Sequence, residues 1–180
     1  MKKLILIGGV LAAGKSTYSM ILKEKYHLNV INKDRLKEIF GDNIPVSNRE
    51  ENKKLSVLSF EIMMYLIESN ESTLLLESNF KDYELSILKK RCDELGYKVL
   101  SLVFDAPDEI LHQRFQRRLG ENRHYVHKSQ DFTNIVDFRI TLDELRRAEY
   151  PGEVIKVDCS EFSYQSDSSL FEKIENFLDM

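Results

Sequence analysis

Gly9-Val10-Leu11-Ala12-Ala13-Gly14-Lys15-Ser16 has the spacing G-x-x-x-x-G-K-[ST], and it sits between the apolar run Leu4-Ile5-Leu6-Ile7 and a helix-like stretch. That context predicts a strand that delivers the chain to a phosphate-binding turn. Gly9 and Gly14 let the backbone curl so that successive N–H groups point inward at phosphate oxygens. Lys15 is long enough to reach the β and γ phosphates. Ser16 opens the following helix, where its hydroxyl is suited to Mg²⁺ and the helix N-terminus adds partial positive charge. The expected ligands of ATP are therefore Gly9, Ala12, Ala13, Gly14, Lys15, Ser16 and Thr17, with Ser16 on the metal.

Lys2-Lys3, the apolar residues to Leu11 and the small pair Ala12-Ala13 also resemble the charged, apolar and cleavage regions of a secretory signal. That alternative leaves Gly14-Lys15-Ser16-Thr17 unexplained, whereas a phosphate loop accounts for the whole run. With 180 residues, the chain is expected to form one domain, residues 1–180, with a well-filled core. Its 30 acidic and 26 basic side chains give a net charge of -4, against a general nucleic-acid binder. The two cysteines, Cys92 and Cys159, are far apart and form no C-x-x-C or Cys/His cluster. They imply neither a disulfide framework nor zinc, and they fit a reducing cytoplasm. No membrane span is expected.

Apolar runs alternate with helical periodicities along the chain, the pattern of an α/β fold with helices on both faces of a parallel sheet. Five strands are predicted, over about Lys3–Ile7, Leu28–Ile31, Thr73–Leu76, Lys98–Phe104 and Glu153–Val157. Helical core stripes are predicted at Leu55, Leu58, Ile62 and Leu66, at Leu85, Leu88, Cys92 and Leu95, at Ile135, Phe138, Leu142 and Leu145, and at Leu170, Ile174 and Phe177. In such folds ligands collect beyond the carboxyl ends of the strands. The residues just after each strand are accordingly the candidates for chemistry.

Asp34 follows the second strand. It suits an N-cap for a helix over Arg35 to Phe40, and it also suits a general base that takes the proton of an attacking hydroxyl. Lys37, one turn on, falls on the same face, placed to pair with Asp34 or with an acceptor. Asn32-Lys33-Asp34 approaches the guanine-reading Asn-Lys-x-Asp, but the fourth residue is Arg35 and the match fails. Glu77, after the third strand, is expected to orient the acceptor or hold a magnesium-bound water, and Asn79 to hydrogen-bond the same acceptor. Arg114, Arg117 and Arg118 fall at i, i+3 and i+4 beside Leu111, Phe115 and Leu119, so a helix puts the arginines on one face where they can serve the nucleotide. The segment of about 114–128 is expected to act as a lid that excludes water. None of the four histidines is assigned a catalytic role.

Taken together, the loop at Gly9 to Thr17, Asp34, Glu77 and the arginine helix resemble the small P-loop kinases that include polynucleotide 5′-hydroxyl kinases, chloramphenicol phosphotransferase and zeta-type toxins. The resemblance implies a P-loop fold with Lys15 and Ser16 on nucleotide and Mg²⁺, Asp34 as base, and Glu77 as the acid after the third strand. It also implies that Arg114 and Arg118 are lid arginines, Arg118 touching the transferring phosphate, and that Arg123 belongs to the lid. Polynucleotide kinases of this type carry arginine where this chain has Lys37, and lysine lacks the planar fork that grips phosphate.

The function expected is transfer of the γ-phosphate of ATP to a hydroxyl, with a small molecule favoured over a nucleic-acid end as acceptor. A nucleotide-binding ATPase or switch acting on a protein partner is the alternative, and it differs by turning over ATP without any acceptor.

Overall fold

The computed structural model describes residues 2–119, 124–130 and 134–179, with side chains of the middle segment described through His127. Strand β1 (Lys2–Gly9) leads into helix α1 (Lys15–Tyr26), followed by β2 (Asn29–Asn32), α2 (Lys33–Asn43), α3 (Arg49–Ser69), β3 (Leu74–Glu77) and α4 (Asp82–Leu95). Then come β4 (Tyr97–Asp105), α5 (Asp108–Leu119), a 3-10 segment over Tyr125–Gln130, α6 (Ile135–Arg146), β5 (Glu153–Asp158), a second 3-10 segment over Phe162–Ser166, and α7 (Ser168–Leu178). The strands form one sheet in the order β2-β3-β1-β4-β5, and every pairing is parallel. This is the α/β architecture that the alternation predicts. No helix among the described residues is long and apolar enough to cross a membrane.

Because side chains alternate across a strand, β1 feeds two cores. Leu4 and Leu6 join Phe60, Met63, Ile67, Leu76 and Phe80 on one face, while Ile5 and Ile7 join Tyr18, Leu22, Leu102, Phe104 and Phe138 on the other. Helix α7 closes the second core with Leu170, Ile174 and Phe177, each worth about 1.5–3 kcal/mol when withdrawn from water. Leu85, Leu88 and Cys92 of α4, and Phe138, Leu142 and Leu145 of α6, are buried as their spacing predicts, while Leu95 and Ile135 at the ends of the two stripes are half-buried.

Helix α3 departs from its predicted stripe. Of Leu55, Leu58, Ile62 and Leu66 only Leu55 is buried, and the helix instead buries Phe60, Met63, Met64 and Ile67. Apolar residues surround this helix, so two stripes satisfy the helical period. Packing against Leu4, Leu6 and Leu76 settles which of the two turns to the sheet.

The strand ends also shift, with consequences for the site. β2 and β3 each run one residue beyond the apolar run, to Asn32 and Glu77, and those two residues are partners in the ladder. Because β2 extends, the cap of α2 is Asn32 and not Asp34: the Asn32 side chain accepts from the Arg35 N–H at 2.8 Å. Such a cap is worth about 1 kcal/mol. Asp34 becomes the second residue of the helix, exposed, and its carboxylate is not spent on capping.

Candidate active site

The loop between β1 and α1 is held from three directions. Its entry is fixed by Val10 N–H donating to the Phe104 carbonyl at 3.0 Å and by Gly9 N–H donating to the Tyr150 hydroxyl at 2.7 Å. Gly9 has φ 111°, and a side chain there would run into the Phe104 backbone, so glycine is required on both counts. At the exit, Gly14 caps α1 in the left-handed region, and the Tyr164 hydroxyl occupies the space a Cβ would need. Gly14 has no side chain to cap the helix, which leaves the first-turn N–H groups turned to the loop. Ala12 lies between these glycines at φ 58°, a conformation that costs an L-residue about 1–2 kcal/mol. The second core carries that cost, with Val10 and Ala13 packed into it.

Lys15 is 6% exposed, and its ammonium turns back to donate to the Val10 carbonyl. Burial pulls its pKa down to about 8. The nearby carboxylates of Glu77 and Asp34 pull the other way, and Arg118 pushes it further down. Lys15, Asp34, Glu77 and Arg118 come from four separate elements, and their charges meet at this lysine. Glu77 accepts from the Ser16 hydroxyl at 3.0 Å and from the Asn32 amide. It is 4% exposed, and burial raises its pKa against the opposing pull of Lys15 and of the hydrogen bonds from Ser16 and Asn32. Burial thus works against charge on both Lys15 and Glu77. An arriving phosphate, or a cation beside Glu77, reverses the preference.

The other candidates have more specific surroundings. Thr17 is exposed in the first turn of α1. Asn79 is half-buried, and its Oδ1 has no hydrogen-bond partner among the described residues, which makes it an open acceptor two residues after Glu77. Lys37 does not pair with Asp34 in any contact described; its ammonium donates to the Val126 carbonyl at 3.4 Å. On α5 the arginines separate. Arg114 donates to the carbonyls of Cys159 and Ser160 at 2.6 and 3.0 Å and lies over the Phe162 ring, which fixes the chain leaving β5. Arg118 is exposed on the side of the phosphate loop, where it acts on Lys15. Arg123 and residues 120–122 of the expected lid lie outside the described residues. Asp105, at the end of β4, is held by the guanidinium of Arg146.

The residues that sequence reading missed are mostly supports. Asn32 both caps α2 and donates to Glu77, so one side chain couples the acceptor helix to the acid after β3. Lys33 is buried and paired with Glu84, which also accepts from the Lys81 N–H at 3.1 Å. Tyr150, in the turn before β5, receives the Gly9 N–H. A lysine next to a candidate base and a tyrosine before a Pro-Gly turn are common sequence features, and only folding shows what they touch.

The oxygens of Ser16 and Glu77 are hard donors of the kind Mg²⁺ takes, and they lie together at the mouth of the loop. Among the described residues no three or more His, Cys, Asp or Glu side chains group as a metal site.

A family model described as an AAA domain matches residues 4–139. Similar solved structures include a candidate kinase from Chloroflexus aurantiacus, with a TM-score of 0.78, 20% identity and 98% of each chain covered. The tunicamycin resistance protein of Deinococcus radiodurans matches at a TM-score of 0.63 and 16% identity, over 99% of this chain and 96% of that one. Shikimate kinase from Aquifex aeolicus matches at 0.62 and 13% identity, over 96% of each. At these identities the likeness is one of fold. None of the curated proteins compared with the chain matches it.

Proposed function

On the premise that this chain belongs to the AAA domain family, as the match over residues 4–139 establishes, we propose that it is an ATP- and Mg²⁺-dependent phosphotransferase acting on a hydroxyl. The observation that carries this reading is the phosphate loop with Lys15 buried in it and Ser16 bonded to Glu77, where the charges of Asp34 and Arg118 are also felt. Lys15 and the N–H groups of the loop hold the β and γ phosphates of ATP, with Ser16 and Glu77 toward the metal. Bound Mg²⁺ would neutralise phosphate oxygens. The acceptor oxygen bonds to the γ-phosphorus as its proton passes to the Asp34 carboxylate, and the bond from that phosphorus to the departing ADP oxygen breaks. Arg118 offsets negative charge on the group in flight.

A small-molecule acceptor is favoured over a nucleic-acid end. The chain carries a net charge of -4, and of the basic residues near Asp34, Lys33 is engaged by Glu84 and Lys37 by the Val126 carbonyl, while Arg35 is exposed and paired with Glu38. The two free thiols, Cys92 and Cys159, are both buried, in keeping with a cytoplasmic setting. The deciding assay is ADP release from Mg-ATP by the protein alone and then with a panel of hydroxyl compounds, including a 5′-hydroxyl oligonucleotide. Release that requires one acceptor and disappears in Lys15→Ala is the expected result. Equal release with and without acceptors would point to an ATPase or switch instead.

The lysine gives a second, independent test. Its free-state pKa of about 8 means that nucleotide affinity is expected to hold steady below pH 8 and to weaken above it, by at most about tenfold per pH unit. Between about 8 and the ordinary value of 10.5, the unfolded chain binds more protons at this residue than the folded one. The contribution of Lys15 to stability therefore rises with pH across that window. Calorimetric titration with Mg-ATP from pH 7 to 9.5 reads the affinity. A flat profile would mean that Lys15 is not the titrating phosphate ligand, and Lys15→Arg should be flat by design.

A further inference from the structure

Helix α3 carries more apolar surface than the sheet takes up. Phe60, Met63 and Ile67 lie in the core, yet Leu58, Ile62 and Leu66 stay half-buried, and Val57 and Tyr65 stand 49% and 64% exposed. A helix that is apolar on most sides is ordinarily covered on most sides. Here the second face is left open to water.

That face has a groove at one end and a knob at the other. Where α2 turns into α3, a groove of about 260 Å³ opens between Ile44, Val46, Leu55 and Leu58, and Lys54 and Glu51 also line it. Tyr65 lies seven residues beyond Leu58 on the same side of the helix, about 10 Å along its axis. Lys54, Leu58, Glu61, Tyr65 and Glu68 recur at three- and four-residue steps, so they form one line. Charge is sorted along it: Lys53 and Lys54 stand at the groove end, Glu61 and Glu68 around the knob, and all four are exposed. On α4, Arg91 meets Glu68 at 3.1 Å, and Ile87 and Tyr83, one and two turns before Arg91, extend the exposed apolar surface beside the same face.

We propose that this face is the seam of a two-fold homodimer, in which the α3 helices pack antiparallel and Tyr65 of each copy enters the groove beside Leu58 of the other. The order of features along α3 favours a second copy over an unrelated partner. An antiparallel copy presents a knob to each groove at the same spacing, so the contact closes on itself. The same operation sets the lysine end against the glutamate end twice, whereas a parallel copy would set like charges together. Tyr83 and Ile87 widen the seam toward the area that stable interfaces bury, about 1,200–2,000 Å² in total. Asn52, on the opposite side of α3 from Lys54, bonds to Val126, so the seam lies away from that contact and does not rest on the phosphotransferase reading.

Sedimentation equilibrium of the full chain tests the seam. The wild type is expected to dimerise in the micromolar range. Tyr65→Ser removes the knob at a position already open to water in the single chain, and Leu58→Arg fills the groove. Each should weaken self-association by at least about tenfold, as loss of an aromatic anchor does. Mixing the two variants should restore association by at least about tenfold over either alone, because one still offers Tyr65 and the other still offers an open groove. That recovery also shows that both variants fold. A wild type that stays monomeric at about 100 µM overturns the dimer. Variants that associate as tightly as wild type place any dimer on another face, and a mixture no tighter than either variant, with both melting as cooperatively as wild type, overturns the insertion of Tyr65.

Discussion

Asp34→Asn is expected to lower acceptor phosphorylation by about 10²- to 10⁴-fold while leaving nucleotide affinity nearly unchanged, the usual range for losing a positioned general base. The substitution keeps the shape of the side chain and its place as the second residue of α2, which is exposed and needs no carboxylate for capping because Asn32 provides the cap. What it removes is the ability to take a proton. The change also withdraws a negative charge that favours the Lys15 ammonium, but Glu77 exerts the larger pull and remains. Single-turnover transfer with saturating ATP, alongside calorimetric binding, separates the two effects. Turnover within a few-fold of wild type would remove Asp34 from its role as base, and a matching loss of ATP affinity would move it to the nucleotide side.

Glu84→Leu should be strongly destabilising although it lies away from the phosphate loop. Lys33 and Glu84 form a buried pair, with side chains 10% and 1% exposed, and the ammonium also lies over the Phe60 ring. Removing the carboxylate leaves a buried ammonium without its counter-charge, at a cost of about 3–5 kcal/mol. Domains of this size hold only about 5–15 kcal/mol in total, so the variant would sit near the edge of unfolding. Lys33→Met combined with Glu84→Leu replaces two desolvated charges with apolar volume. The pair of changes should recover most of the loss, apart from the bonds that Glu84 accepts from the Lys81 N–H and the Tyr83 hydroxyl. Urea unfolding of the two single variants and the double variant measures this directly. A loss under about 1 kcal/mol for Glu84→Leu would mean that water reaches the pair and that it does little to anchor α2 on α4.

These tests probe parts of the protein that were legible in the sequence to very different degrees. The strand before Gly9, the loop and the helix after it could be read because each obeys a local rule: an apolar run, a glycine spacing, a lysine and serine at fixed offsets. The α4, α6 and α7 stripes were legible for the same reason. Helix α3 was not, since a helix apolar on most sides meets the 3.6-residue period in more than one way, and the choice of face depends on what the sheet presents to it. Asp34 and Glu77 were found by their places after strands. Yet the apolar runs stop at Ile31 and Leu76, one residue short of each strand, because hydropathy cannot register that the ladder pairs Asn32 with Glu77.

What the sequence by itself determined, then, is the α/β fold, the phosphate loop and the charged residues that gather beyond the strand ends, all of which follow from local spacing and from the direction of parallel strands. Tertiary structure alone decided what each charge is doing. It turned Arg114 to the carbonyls after β5, left Arg118 exposed with its charge felt at Lys15, buried Lys33 against Glu84, and set Lys37 on the Val126 carbonyl. The physical reason is that a long cationic side chain has no preferred partner in its own segment. Its role is fixed by whichever carboxylate or carbonyl the folded chain brings within reach, and by how much water remains there.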